Sequence, residues 1–135
     1  MVYLTRKEHF NAAHRLYNNN WTPEKNIEVF GKCANKNYHG HNYNLYVTVK
    51  GEASADTGFI MNAKELSVII KKIILDKFDH RNLSIDISET VAIFPTTENL
   101  CVVIWNLLKP HITEAELHCV KLYETDNIYA EYFGT

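Results

Sequence analysis

The sequence predicts an α+β fold in which a four-stranded antiparallel sheet carries two helices on one face, in the order ββααββ. Three observations lead there. Residue character alternates from Val2 to about Ala13 and again from about His41 to Lys50, ending at Gly51, the two-residue period of a half-buried strand. Two segments in the middle of the chain repeat apolar residues at helical spacing, and the end of the chain alternates again on either side of a turn-prone triplet.

The strands come first. On the second one, His39, His41, Tyr43, Leu45, Val47 and Val49 share one face, and Asn42, Asn44, Tyr46, Thr48 and Lys50 share the other, because successive side chains point to opposite sides. Two histidines therefore sit at the open end of the apolar row. Phe10, Ala12 and His14 share a parity in the same way at the end of the first strand. Residues 17–38, rich in Asn and bearing Pro23 and Gly31, read as a long loop joining the two strands. A connection of that size in a small domain is expected to form part of a site.

The first helix is read from Leu66, Ile69, Ile70, Ile73 and Ile74, with Asn62 and Glu65 as its capping pair. In the second, Leu100, Val103, Ile104, Leu107 and Leu108 repeat the spacing, Thr96 or Thr97 caps the start and Pro110 stops the end. Strands at Leu117 to Glu124 and Ile128 to Phe133 follow, joined through Thr125, Asp126 and Asn127. So short a sheet has two edges with unpaired backbone groups, and pairing between subunits is an expected remedy.

With 135 residues, 46% hydrophobic and 22% charged, the chain has the balance of a single globular domain spanning 1–135. No run approaches the roughly 18 apolar residues of a membrane span, and the polar start lacks the apolar core of a signal peptide. A soluble, cytoplasmic protein is expected. Cys33, Cys101 and Cys119 make an odd count without disulfide-scaffold spacing, which suits reduced thiols. A net charge of -2 argues against general nucleic-acid affinity. Residues 1–50 nevertheless hold seven Lys and Arg against three Asp and Glu, so that half either meets a polyanion or simply carries solvated charge unevenly.

Three histidines are candidate metal ligands: His14 at the end of the first strand, and His39 and His41 entering the second. Two imidazoles on one side of a strand and a third from its neighbour can make a facial triad for zinc with one coordination position left open; unrelated surface histidines are the bland alternative. Cys33 is either a fourth ligand closing a structural zinc site or a free base beside an open one. Asp79 and His80 follow the first helix. The imidazole there either complements the helix dipole or forms an acid-tuned proton-transfer group. Glu124 falls in line with His118, Val120 and Leu122, so an acid on the inward row needs a partner unless the strand end is exposed.

Taken together, GKCANKNYHGHNYNLYVTVKGE, TGFIMN, DHRNL, TTEN and VKLYETDN, with the opening HFNAAHRL, resemble 6-pyruvoyltetrahydropterin synthases in order and spacing over nearly the whole chain. The resemblance implies a zinc-dependent lyase acting on 7,8-dihydroneopterin triphosphate. It implies His14, His39 and His41 as zinc ligands, Cys33 as base, Asp79 and His80 as relay pair, and Glu124 as pterin anchor. It also implies the tunnelling fold, in which sheets of several subunits, here expected as a homohexamer, close a barrel with sites between them. Thr96, Thr97 and Glu98 are further candidates for the substrate site, although helix capping accounts for the threonines. Lys32 and Arg15 are candidates for holding triphosphate. A sister enzyme, 6-carboxytetrahydropterin synthase of queuosine biosynthesis, resembles the chain in fold, metal site and substrate. Five residues between Cys33 and His39, together with Met61-Asn62, look more like the pyruvoyl branch. A non-catalytic zinc-stabilised interaction module is the remote alternative.

Overall fold

The computed structural model describes residues 1–135. Strands β1 (Val2–His14) and β2 (His39–Gly51) form an antiparallel ladder running from Val2 opposite Gly51 to His14 opposite His39. That register decides the site, because it sets His14 directly across from His39, with His41 one inward position further along β2. Both strands extend to the histidines, slightly beyond the alternation that announced them.

The sheet holds five strands in the order β3-β1-β2-β4-β5. Four are antiparallel neighbours, with β4 (Glu116–Thr125) and β5 (Ile128–Tyr132) closing the chain. The fifth is an addition to the expected four: β3 (Arg81–Asn82) pairs in parallel with β1 at Ala12 and Ala13. A strand of two residues has no period to detect.

One face of this sheet is dry. Phe10, Tyr43, Leu45, Val47, Val49, Val120 and Leu122 are buried against two helical layers. The first layer is one continuous helical stretch: α2 (Ala63–Ile70), a π-helical turn (Lys71–Leu75) and α3 (Asp76–Phe78). Asn62 caps it, its Oδ1 accepting from the Lys64 amide at 2.9 Å. Its fully buried residues Leu66, Ile70, Ile74 and Phe78 recur every four positions. In a regular α-helix that row drifts by about 40° per step, and a wider π turn takes some of the drift back. The second layer is α5 (Thr97–Leu108), capped by Thr96 and followed by a 3-10 turn, Lys109–His111, that contains Pro110. No helix is long and apolar enough to cross a membrane.

Two expectations change. The stretch 17–38 is largely built, containing α1 (Pro23–Phe30), capped by Thr22, and a 3-10 turn over Gly31–Ala34. It buries no apolar stripe, since its one buried α1 residue is Asn26, so periodicity could not reveal it. The Asn26 amide instead ties the loop together, accepting from the Asn18 amide at 2.7 Å and donating to the carbonyls of Asn18 and Thr22. A small α4 (Ser88–Val91) also lies before α5. On β4, a bulge opposite Thr48 and Val49 takes His118 out of the inward row, so Leu117, Val120 and Leu122 are buried while the His118 ring packs between Tyr3 and Phe133.

Candidate functional site

His14, His39 and His41 come together where β1 and β2 end, each offering a ring nitrogen within 4.8 Å of the others. Their rings pack edge-on, with centroids 4.6, 5.0 and 4.9 Å apart. His14 is fully buried, and its Nδ1 lies 2.7 Å from the carbonyl of Pro95. A carbonyl can only accept, so Nδ1 carries the proton and Nε2 presents a lone pair to the cluster. A backbone carbonyl behind a ligand histidine is a common way of fixing the tautomer of a metal ligand. Nothing in the sequence pointed to Pro95.

The electrostatics keep His14 and His39 neutral. Burial holds the pKa of His14 down to about 4, with His39 and His41 acting in the same direction against the Pro95 hydrogen bond. Burial also lowers that of His39, His41 adding to it and Glu124 opposing. Neither His14 Nε2 nor either ring nitrogen of His39 has a hydrogen-bond partner. Buried imidazole lone pairs without protons or partners are what a cation would satisfy. The group could hold a metal ion, and three imidazole donors leave a position for something else.

An acid stands beside it. Glu124 Oε1 is 3.4 Å from His14 Nε2 and 3.6 Å from His41 Nε2. It owes this aim to a register shift between Tyr123 and Thr125, which leaves Glu124 as the extra residue of β4 against β5; bulges re-aim side chains in this way. Parity therefore gave Glu124 the correct side of the sheet although the strand is irregular at both ends. Below the acid lies Tyr43, fully buried and packed edge-on against His14 and His41. Burial first, and the Glu124 charge second, push its ionisation above the ordinary tyrosine range, so it remains a neutral phenol. Tyr43 was not singled out from sequence. Its place two residues after His41 on the inward row was a usable signal, since a buried tyrosine hydroxyl normally needs a partner.

Asp79 and His80 form a second unit at the β1 edge. His80 Nδ1 lies 2.9 Å from Asp79 Oδ2, while Asp79 Oδ1 accepts the Asn11 amide at 2.9 Å and the His80 amide donates to the Asn11 carbonyl at 2.7 Å. The Asn11 hydrogen bond is the main reason the Asp79 carboxyl stays below its usual range, and His80 adds to it against partial desolvation. His80 adopts φ of 61°, a conformation unusual outside glycine that recurs at functional sites. Its side chain is 76% exposed, so the imidazole is positioned from behind and open in front. His80 and His41 line the same open groove of about 520 Å³, together with Asn11, Gly40, Asn42 and Arg81.

Cys33 is half-buried on the 3-10 turn and lies outside the three-histidine group. Arg15 stacks on Tyr17 at 3.8 Å and its Nε donates to the Ala34 carbonyl at 3.1 Å, beside that turn. Lys32 is exposed on the same turn. Thr96 caps α5, Thr97 is buried and Glu98 points to solvent. The structure thus gathers His14, His39, His41 and Glu124, joins Asp79 to His80, and uses Thr96 in capping.

The sequence profile described as 6-pyruvoyl tetrahydropterin synthase matches residues 3–135. The chain belongs to this family. It is 44% identical over 133 residues to the 6-pyruvoyl tetrahydrobiopterin synthase of Dictyostelium discoideum, covering 98% of this chain and 96% of that one. The Homo sapiens protein of the same name is 41% identical over 131 residues, covering 97% and 90%. The structure of Caenorhabditis elegans 6-pyruvoyl tetrahydropterin synthase superposes with a TM-score of 0.93 at 33% identity, covering 99% and 96%. Membership makes the chain an enzyme of pterin biosynthesis, and the superposition bears out the α+β tunnelling fold of the single chain.

Proposed function

We propose that this chain is a zinc-dependent lyase, one domain over residues 1–135, that converts 7,8-dihydroneopterin triphosphate to 6-pyruvoyltetrahydropterin with release of triphosphate. The observation that carries the reading is the three-histidine group, with unpartnered nitrogens on His14 and His39, beside Glu124. Three nitrogen donors with an open position suit catalytic zinc.

In this reading the Glu124 carboxylate accepts the amino and N–H edge of the pterin ring, a two-point contact that also orients the side chain. Bound zinc would acidify the side-chain hydroxyls and the neighbouring carbon acids. Cys33, as thiolate, takes the proton from the carbon next to the ring. His80, its Nδ1 held by Asp79, returns protons through Nε2. Lys32 and Arg15 hold the triphosphate, while Thr96, Thr97 and Glu98 support the substrate from the start of α5. Internal redox rearrangement accompanies loss of triphosphate, so no redox cofactor takes part.

The substrate is a small molecule, and the protein binds neither nucleic acid nor membrane in this reading. Free Cys33, Cys101 and Cys119 fit the cytoplasm. The sheet ends on β3 and β5, and Ile128 and Tyr129 on β5 are half-exposed, which favours pairing of edges between copies. A homohexameric barrel with shared sites is the proposed assembly. Light scattering at working concentration should give the mass of a multimer; a fully active monomer would exclude shared sites.

Product identity tests the reaction itself. Purified enzyme given 7,8-dihydroneopterin triphosphate should yield triphosphate and a pterin carrying a three-carbon pyruvoyl side chain by mass spectrometry. Formation of 6-carboxytetrahydropterin and acetaldehyde as main products would transfer the chain to the queuosine branch. Both branches share the first proton removal and separate only at later bond cleavage, where small differences in placement decide the outcome.

A further inference from the structure

Five buried side-chain polar atoms in the molecule lack a hydrogen-bond partner, and four of them share one place: His14 Nε2, both ring nitrogens of His39, and the hydroxyl of Tyr43. A cation accounts for imidazole nitrogens. It does not account for a neutral phenol, whose proton calls for an acceptor and whose burial without one is costly. The Tyr43 ring cannot turn aside to find one. It is stacked on Phe10, with centroids 5.0 Å apart and planes 16° apart, inside the core.

The acceptor is marked by the neighbours. Tyr43 packs against His14 and His41, at 6.4 and 5.7 Å between centroids, and these are the two rings whose Nε2 atoms the Glu124 carboxylate approaches. Asn44 of β2 pairs with Tyr123 of β4, so Tyr43 and Glu124 occupy the next positions on the two strands. We propose that Tyr43 is a positioning residue: its hydroxyl donates to the Glu124 carboxylate in the ligand-bound enzyme and turns the remaining lone pairs of that carboxylate toward the pterin's amino and N–H edge. The β4 bulge at Glu124 supplies the local freedom for that turn. This rests on the pterin reading above, and it assigns to a residue outside the zinc, thiol and relay groups the task of orienting the substrate anchor.

Tyr43→Phe removes the hydroxyl and keeps the stacked ring, so the core should persist. Calorimetric titration of the zinc-loaded protein with 7,8-dihydroneopterin should show unchanged zinc content and roughly tenfold weaker pterin binding, the loss of one hydrogen bond to a charged acceptor. Glu124→Gln should weaken binding too, and Tyr43→Phe combined with Glu124→Gln should be scarcely worse than Glu124→Gln alone, because the hydroxyl acts through the carboxylate. Undiminished binding by Tyr43→Phe, additive losses in the double variant, or loss of zinc would each overturn the assignment. If the unsubstituted protein itself fails to bind the pterin, the substrate reading falls and this proposal with it; if it binds and Tyr43→Phe binds equally, only the role of Tyr43 is lost.

Discussion

His41→Ala is expected to empty the metal site and abolish turnover while leaving the fold in place. His41 stands at the end of β2 with its side chain about one-fifth exposed, 20%, and its Nε2 lies 3.6 Å from Glu124 Oε1, beyond hydrogen-bond distance. The sheet below it is held by Tyr43, Leu45, Val47 and Val49 against the helices, and those contacts do not involve the imidazole. Removing one of three nitrogen donors should weaken zinc binding by at least about a hundredfold, since even substitutions behind a ligand cost ten to a hundredfold. His39→Ala should behave alike. Zinc measured by atomic emission after gel filtration, with circular dichroism for the fold, would check both, and near-stoichiometric zinc in either variant would remove that histidine from the ligand set. His14→Ala should differ. Its ring is fully buried and donates to Pro95, so its loss opens a cavity and strands a buried carbonyl, and stability should fall by about 1–3 kcal/mol in addition to the loss of metal.

That contrast shows what the sequence could and could not convey. The face of His39 and His41 was legible because a strand allows only two sides, and Tyr43, Leu45, Val47 and Val49 marked the dry one. The meeting of His14 with His39 was only inferable, because the register of β1 on β2 is set across a connection more than twenty residues long, closed by Asn26 and the Gly31–Ala34 turn. Register of that kind is fixed by burial along both strands and not by any local turn signal. The Pro95 carbonyl was invisible, since a backbone group has no sequence signature. So was the left-handed backbone of His80, which a non-glycine residue gives no reason to expect. The motif order carried the family assignment, whereas spacing carried the geometry only where strands were regular.

Cys33→Ser should separate a base from a ligand. The turn that carries Cys33 is held by main-chain groups: the Leu16 amide donates to the Cys33 carbonyl at 2.8 Å, and Arg15 Nε donates to the Ala34 carbonyl. Gly31, at φ 57°, lets the chain leave α1 into that turn with open space where a Cβ would stand. The sulfur is not part of this scaffold, and Cys33 is not among the three residues that gather their donor atoms within 4.8 Å. Replacing sulfur by oxygen should therefore leave the turn, the fold and about one zinc per chain. A serine hydroxyl is a far weaker acid than a thiol and supplies almost no anion near neutral pH, so proton removal from the carbon beside the ring should slow by about 10² to 10⁴. Binding of 7,8-dihydroneopterin, which depends on Glu124 in this reading, should change little, so the loss should appear in kcat. A closed Cys-His structural site predicts the opposite pattern, with zinc released and the loop between β1 and β2 unfolded. Zinc content and kcat measured on the same preparation distinguish the two, because a base can be lost without its metal and a fourth ligand cannot.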